Sequence, residues 1–147
     1  MNYWLFVTTA ENWKIIMEKG FIGISKRNEN AVSRVKPGDK CLVYVRQRLV
    51  EREYEGPFVN GEYEVASDVY VENTPVFESP EKIREKEVFP LRLKLRRLGK
   101  ITKPVPFKPI VPKLSFIPNK KKWGTSLQGR GLINIPKKDY VTIVSFL

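Results

Sequence analysis

The 147-residue sequence predicts an α+β domain. Its mixed, mostly antiparallel sheet is expected to close into a small barrel with short helices packed around it. Two observations predict this class. Five or six short strand patterns and three or four short helix patterns are separated by turn residues. No strand pattern is followed by the long helical crossover that consecutive parallel strands need. The length fits one domain spanning residues 1–147.

A strand and a helix are predicted at the N-terminus. Residues Tyr3–Thr8 are almost all β-branched or aromatic, which is typical of a buried strand. Thr8 and Glu11 have the spacing of a capping box, in which each side chain accepts a hydrogen bond from the other residue's backbone N–H. We therefore expect the helix to begin there and to end at Gly20, which permits a left-handed conformation.

A second helix and a second strand follow. Asn28 or Asn30 is suited to cap a short helix. Lys-Pro-Gly-Asp at 36–39 predicts a turn, because Pro fixes φ and Gly permits a positive φ. Cys41–Val45 has high β-propensity and predicts a strand. No base is positioned beside Cys41, so we expect a buried core residue and not a nucleophile.

Residues 46–71 predict strands joined by exposed turns. Segment 46–56 is highly charged and predicts an exposed excursion or edge hairpin, and Asn-Gly at 60–61 is a strong hairpin signal. Residues 62–71 then alternate between apolar and charged side chains, with a break near Asp68 that predicts a β-bulge. Alternation favours an outward row of glutamates over a carboxylate metal site, so we predict no metal.

The C-terminal half predicts further short elements. Pro80–Glu87 is charged and begins with Pro, which predicts a short helix. Leu91–Arg96 predicts a strand with its leucines inward and its three cations outward. Five prolines between 102 and 118 exclude a central strand, although Pro109 can open one helical turn. A last strand at Leu132–Ile135 and a helix from Pro136 complete the chain.

Charge is distributed very unevenly along the chain, whose net charge is +11. Residues 51–87 carry eleven acids and four cations, whereas residues 88–138 carry fourteen Lys or Arg and no acid. Such asymmetry indicates a polyanionic partner, and nucleic acid is favoured over a membrane because no basic amphipathic helix is evident. A lysine-rich surface of a thermophilic protein is the alternative.

Several classes of chemistry are excluded by composition. The sequence has no histidine, which removes His-based acid–base catalysis and His-containing zinc sites. Its single cysteine excludes an internal disulfide and fits a reducing cytoplasm, the expected location. No apolar run approaches the ~20 residues that span a bilayer, and no signal peptide is evident. We predict no cofactor.

Short motifs in a fixed order resemble the EVE domain family, which is part of the PUA-like superfamily and related to YTH domains. The resemblance is to archaeal-type single-domain members. It implies a PUA-like β-barrel with a pocket on one side. The motifs are Tyr3-Trp4-Leu5, Glu11-Asn12-Trp13, Val35-Lys36-Pro37-Gly38-Asp39, Val43-Tyr44, Tyr63-Glu64-Val65-Ala66-Ser67-Asp68, Asn73-Thr74-Pro75, Phe107-Lys108-Pro109-Ile110, Leu114-Ser115-Phe116-Ile117, Asn119-Lys120-Lys121-Lys122-Trp123-Gly124, Leu127-Gln128-Gly129 and Ile135-Pro136.

The resemblance also implies where a flipped or modified base binds. Residues that match the family's pocket segments are Thr8, Thr9, Asn12, Trp13, Phe21, Ile22, Gly23, Ser25, Trp123 and Gly124. Many relatives carry Trp near Ile22, where Phe21 is the nearby aromatic residue here. Trp13 and Trp123 are expected on opposite sides of the pocket. The alternative for Trp13 is a core residue that anchors its helix.

Basic residues are expected to position the nucleic-acid backbone. The candidates are Lys120, Lys121, Lys122 and Arg130, with Arg92, Lys94 and Arg96 as secondary candidates. The last three form a row that either tracks phosphates or protects an edge strand.

The sequence therefore predicts a non-catalytic nucleic-acid-binding module, with RNA favoured over DNA. One alternative is a small-molecule or protein interaction module. Another is a histidine-independent enzyme acting on nucleic acid, which would need Lys, Tyr or carboxylates such as Glu62 or Asp68.

Overall fold

A curled eight-stranded sheet forms the body of the computed structural model, which describes residues 1–78, 88–99, 103–127 and 130–147. The strands are β1 (Tyr3–Thr8), β2 (Phe21–Ile24), β3 (Lys40–Val45), β4 (Arg48–Val50), β5 (Glu53–Glu55), β6 (Phe58–Val65), β7 (Tyr70–Val71), β8 (Leu91–Leu98), β9 (Val105–Pro106) and β10 (Leu132–Ile135). The α-helices are α1 (Ala10–Lys19), α2 (Glu29–Val32) and α3 (Lys137–Val144), and 3₁₀ turns cover Lys26–Asn28, Lys108–Lys113 and Trp123–Ser126.

The sheet is mixed but mostly antiparallel. Its strand order is β10-β1-β3-β6-β8-β2, with β7 beside β8 and β9 beside β6. Only β1 and β3 run parallel among the described pairs. The sheet curls into a half-barrel, and no pairing among the described residues joins its edge strands β10 and β2. The predicted α+β class is confirmed.

Alternation along β1 and β3 creates two hydrophobic cores, because both strands are buried on both faces. Trp4, Phe6 and Val43 belong to the first core, which α1, α2, β2 and β8 help to enclose. Leu5 and Leu42 belong to the second core, which α3 and the 3₁₀ turn Lys108–Lys113 help to cover. Successive strand residues point to opposite faces, so one pair of strands forms a wall of both cores.

The start of α1 differs from the prediction by one residue. Thr8 remains in β1, paired with Val45, and Thr9 is the N-cap, whose Oγ1 accepts a hydrogen bond from the Asn12 backbone N at 3.2 Å. The predicted capping box of Thr8 and Glu11 was wrong because pairing with β3 continues through Thr8. The predicted helix end is confirmed, since Gly20 has a φ of 79°.

The predicted hairpin turn at Asn60 and Gly61 is also wrong. Both residues lie inside β6, where Gly61 has a φ of 78°. The register with β3 shifts opposite this point, which places Gly61 at a β-bulge. The irregularity predicted near Asp68 is confirmed. Val65 of β6 pairs with Leu95 of β8 and Tyr70 of β7 pairs with Arg92 of β8, so the segment between Val65 and Tyr70 is longer than the segment of β8 opposite it.

Strand β8 is an internal strand, which overturns the edge-strand alternative: it pairs with β2, β6 and β7. The prediction that Arg92 faces outward was also wrong. Arg92 is 1% exposed, and its guanidinium donates hydrogen bonds to the carbonyl oxygens of Thr74 (2.6 Å) and Phe89 (3.3 Å). The backbone around Thr74 and Phe89 covers the face of β8 on which Arg92 lies, a face that the alternating sequence pattern predicted to be exposed.

Other predicted elements are in place. The charged segment forms the β4–β5 hairpin, and the final strand and helix lie where expected. The helix predicted at Pro80–Glu87 falls outside the described residues.

Glu62 accepts a hydrogen bond from the Tyr140 hydroxyl and Glu64 pairs with Arg96. The described part of the chain contains no cluster of three metal-ligating side chains. No described helix is long and apolar enough to cross a membrane.

Two buried aspartates fasten loops to the core. Asp39 is 4% exposed and accepts hydrogen bonds of 3.0 Å each from the Trp4 indole N–H and from the backbone N–H of Asn2 and Lys36. Asp139, in α3, accepts three hydrogen bonds from Ser115 and Phe116. Asp39 therefore holds the chain entering β1 beside the turn that enters β3.

We expect Asp39→Ala to lower the free energy of unfolding by about 2–4 kcal/mol, because three donors, including a buried indole, lose their charged acceptor. Urea denaturation followed by fluorescence measures the change. The matched control, Asp68→Ala at an exposed position, should change stability by less than about 0.5 kcal/mol. Equal effects of the two substitutions would contradict this role for Asp39.

We expect Cys41 to resist alkylation in the folded protein. Burial raises the pKa of its thiol to about 12, so the reactive thiolate is scarce at pH 8. Iodoacetamide labelling followed by mass spectrometry should be slow in buffer and fast in denaturant at the same pH. Similar rates in both conditions would show that the thiol is accessible.

Candidate nucleic-acid interface

A cavity of about 330 Å³ opens where β1 and β2 end, on the open side of the half-barrel. We call it the β1–β2 cavity. It is bounded by the last residues of β1, the end of β2, the first turn of α1 and the residue before β10. Its lining residues are Phe6, Val7, Thr8, Thr9, Asn12, Gly23, Ile24, Ser25, Arg27, Asn28, Arg46, Phe77, Phe89 and Gly131.

Two phenylalanines give this cavity an aromatic wall. The rings of Phe77 and Phe89 have centroids 6.1 Å apart and planes at 87°. A Cβ on Gly23 would lie 2.5 Å from Cε2 of Phe77. Only glycine at this position of β2 therefore lets the Phe77 ring lie against the strand.

Asn12 holds the segment that carries Phe77. Its Oδ1 accepts a hydrogen bond from the backbone N of Glu78 at 2.7 Å, and its Nδ2 donates to the Glu78 carbonyl at 2.9 Å. Asn12 is buried, and both ends of its amide are engaged. It therefore fixes the segment that carries the aromatic wall.

The remainder of the cavity combines polar groups with a basic rim. Thr8 and Ser25 are buried, and Asn28 is half-buried. Arg27 and Arg46 are exposed at the rim. None of the described lining residues is acidic. The positive charge therefore favours an anionic ligand. The aromatic wall and the polar groups suit a ligand that also carries a flat, hydrogen-bonding group.

A second, more open cavity of about 570 Å³ adjoins the first. We call it the Trp123 cavity. The Trp123 ring packs against Phe107, with centroids 5.7 Å apart and planes at 55°. Burial raises the pKa of Tyr44, although the charge of Arg46 opposes the shift, so its phenol stays protonated at neutral pH. The lining residues are Val7, Tyr44, Arg46, Gln47, Pro57, Lys122, Trp123, Gly124 and Leu127.

The structure brings together only part of the predicted base pocket. Five predicted residues line the β1–β2 cavity: Thr8, Thr9, Asn12, Gly23 and Ser25. Trp123 and Gly124 line the Trp123 cavity instead. Trp13 lines neither of these two cavities and packs edge-on against Tyr63, with centroids 6.1 Å apart. The expectation that Trp13 and Trp123 face each other across one pocket was therefore wrong.

Phe21 and Ile22 lie behind the β1–β2 cavity. Ile22 is fully buried in the first core, because its side chain faces inward from β2. Phe21 packs edge-on against Phe77, with ring centroids 5.7 Å apart. Phe21 therefore supports the aromatic wall from the far side, and the wall itself is formed by Phe77 and Phe89.

The predicted phosphate-binding residues are spread over several surfaces. Lys122 lines the Trp123 cavity, and Lys121 is exposed in the same turn. The Lys120 Nζ donates a hydrogen bond to the Leu114 carbonyl. Arg130 is exposed and directly precedes Gly131. Lys94 is exposed on β8, Arg96 pairs with Glu64, and Arg92 is buried.

The sequence interpretation missed Arg27, Asn28, Arg46, Phe77 and Phe89. Arg46 directly follows a predicted buried strand, and the ends of parallel strands meet at one edge of a sheet. The position of Arg46 at the end of a predicted buried strand could therefore have indicated it as a candidate site residue. Phe77 and Phe89 reach the cavity only because the chain folds back over β2 and β8, which no local pattern shows.

The curled, mostly antiparallel sheet with a few short helices has the α+β architecture of PUA-like folds. Comparison with known proteins agrees. A family model described as EVE domain matches residues 2–146, and the chain therefore belongs to the EVE domain family. It is 44% identical over 149 residues to a UPF0310 protein of Pyrococcus abyssi, covering 100% of both chains.

Two similar solved structures contain nucleic acid. The human THYN1 protein, solved in complex with DNA containing 5-methylcytosine, matches with a TM-score of 0.62 and 11% identity over 99% of this chain and 96% of that chain. The YTH domain-containing protein mmi1, solved as an RNA complex, matches with a TM-score of 0.56 and 10% identity over 98% of this chain and 80% of that chain. At these identities the likeness shows the fold.

We expect Asn12→Ala to lower the free energy of unfolding by about 1–3 kcal/mol, because the two part-buried hydrogen bonds between the Asn12 amide and the Glu78 backbone are lost. Thermal and urea denaturation measure the loss. Asn30→Ala, at an exposed position, is the control and should be nearly neutral. A neutral Asn12→Ala would show that the segment is held by other contacts.

Proposed function

We propose that this protein is a non-catalytic nucleic-acid-binding module that takes one flipped base into the β1–β2 cavity. The observation that carries the proposal is the combination of the Phe77 and Phe89 wall with a basic rim and no described acidic lining residue. An aromatic wall suits the face of a base, and the rim suits the phosphates that flank it.

The size and chemistry of the cavity support a single base. Its volume of about 330 Å³ is near the lower end of the ~300–1,000 Å³ typical of ligand pockets. Stacking on an aromatic side chain is worth ~1–3 kcal/mol per base, and taking a base out of a stack costs a few kcal/mol. The Thr8 hydroxyl and the Asn28 amide, which line the cavity, offer hydrogen bonds to the polar edge of the base.

A binding role is favoured over turnover by the same lining. The cavity's described residues include no carboxylate, amine, phenol or thiol, so no side chain there is suited to act as a general base at neutral pH. We therefore expect no chemical change in a bound oligonucleotide.

The solved relatives support nucleic acid as the ligand class. THYN1 was solved with DNA containing 5-methylcytosine and the mmi1 YTH domain with RNA. We propose RNA as the preferred form, and a modified base as the preferred occupant. Matched RNA and DNA oligonucleotides, with and without base methylation, test this choice directly.

We expect Arg27→Gln and Arg46→Gln each to weaken oligonucleotide binding and to reduce the salt dependence of log K by about one counterion. Fluorescence anisotropy across a salt series measures both effects. Arg52→Gln removes the same charge from the exposed β4–β5 hairpin and is the matched control. If all three variants behave alike, the rim arginines have no special role.

We expect Phe77→Leu to weaken binding of an intact oligonucleotide by about 5- to 100-fold, because stacking of ~1–3 kcal/mol is lost. The same variant should bind an oligonucleotide of abasic sites as the parent does. Phe116→Leu, half-buried beside the second core, is the matched control. Equal losses on intact and abasic oligonucleotides would show that no base enters the β1–β2 cavity.

A further inference from the structure

The two cavities meet at Arg46. Arg46 and Val7 line both the β1–β2 cavity and the Trp123 cavity. Arg46 directly follows β3, and its backbone N donates a hydrogen bond of 2.8 Å to the Thr8 carbonyl at the end of β1. The residue is therefore anchored where the two parallel strands end, with one cavity on each side.

The guanidinium of Arg46 is available to a ligand. It makes no hydrogen bond or ion pair with the residues that the structure describes. The nearby acids form ion pairs with Arg48 instead, whose guanidinium lies 3.7 Å from a Glu11 oxygen and 3.5 Å from a Glu55 oxygen. Arg46 is exposed, so a phosphate can reach it from solvent.

The Trp123 cavity has the chemistry of a nucleotide site of its own. Trp123 is half-buried, so part of its ring remains accessible. The protonated Tyr44 phenol and the Gln47 amide provide hydrogen-bonding groups beside it. Arg46 and Lys122 supply positive charge, and none of the cavity's described lining residues is acidic. A flat base with an attached phosphate matches these features.

We propose that the Trp123 cavity binds the nucleotide next to the flipped one, with its base against Trp123, and that Arg46 binds the phosphate that links the two. The proposal rests on the proposed function and extends it from one base to a two-nucleotide step. The ligand is then a single strand, or a locally opened one, whose neighbouring bases are splayed to either side of Arg46.

The alternation of β1 explains why the bases must splay. Phe6, of the first core, lines only the β1–β2 cavity, and Tyr44, of the second core, lines only the Trp123 cavity, so the two cavities extend towards different faces of the strand pair from the Val7 and Arg46 that they share. Bases stacked on each other cannot reach both faces at once. A site of this form selects for an unstacked step and excludes an intact duplex.

The test compares short ligands that fill one or two sites. The probes are the four ribonucleoside 5′-monophosphates, the four homodinucleotides with a 5′-phosphate, and the deoxy forms of each. Isothermal titration calorimetry on the full chain measures affinity. For the preferred base, the parent should bind the dinucleotide at least about tenfold more tightly than the mononucleotide.

Two variants should remove that gain through different routes. Trp123→Leu deletes the stacking face. Gly124→Leu adds a side chain where a Cβ would meet no atom within 4 Å, so it should narrow the cavity without disturbing the fold. Both should bring the dinucleotide advantage to about twofold or less, and neither should change the affinity of the β1–β2 cavity for its mononucleotide. Trp13→Leu replaces another half-buried tryptophan, outside both cavities, and should keep the full advantage.

The Arg46→Gln variant tests the contribution of the linking phosphate separately from that of the bases. It should reduce dinucleotide affinity by about tenfold and reduce the affinity for a dinucleotide with a neutral methylphosphonate linkage far less. Melting temperatures establish that each variant is folded.

The outcomes distinguish the inference from the function on which it rests. A dinucleotide advantage that survives both Trp123→Leu and Gly124→Leu overturns the second site. If Phe77→Leu still weakens the mononucleotide in that case, the first site stands. An equal response of charged and neutral linkages to Arg46→Gln overturns the role of Arg46. Failure of every probe to bind the parent overturns both proposals.

Discussion

Parallel pairing of β1 with β3 is the constraint on which the rest of the structure depends. The two strands pair over their full length, from Tyr3 with Lys40 to Thr8 with Val45. At one end Asp39 joins the chain segments that enter them. At the other end Thr8 and Arg46 are joined by a backbone hydrogen bond, and both cavities open beside it. The candidate interface thus adjoins two strands that are buried along almost their whole length.

The β1–β2 cavity depends on contacts between distant parts of the chain. Asn12 fixes the backbone of Glu78, which directly follows Phe77 and lies 66 positions from Asn12 in the sequence. Gly23 leaves the space that the Phe77 ring occupies. Each of these two residues determines where the aromatic wall lies. A preorganised wall of this kind costs little to order when a ligand binds.

Local patterns predicted the elements well where one physical signal dominates. Strong β-propensity marked β1, β3 and β10, and helical spacing after Pro136 marked α3. Prediction failed where distant contacts override local preference. Asn60 and Gly61 form a bulge because β6 continues past them to pair with β8, and Arg92 is buried because other segments fold over it. The family resemblance indicated the segments around β1 and β2 as part of the candidate site. It did not indicate Phe77, Phe89 and Arg46, which line the same cavity.

Sharing a strand pair between two cores also links the order of synthesis to folding. Outside β1, β3 and Val59 of β6, the buried residues of the second core come from position 107 onward, including Phe107, Ile110 and Ile143. Until the ribosome has released residues 107–147, Leu5, Val7, Leu42 and Tyr44 lack most of the residues that cover them in the second core. Domains generally fold as units once their core is complete. The second core can therefore close only late in translation, after the residues that cover this apolar face have been made.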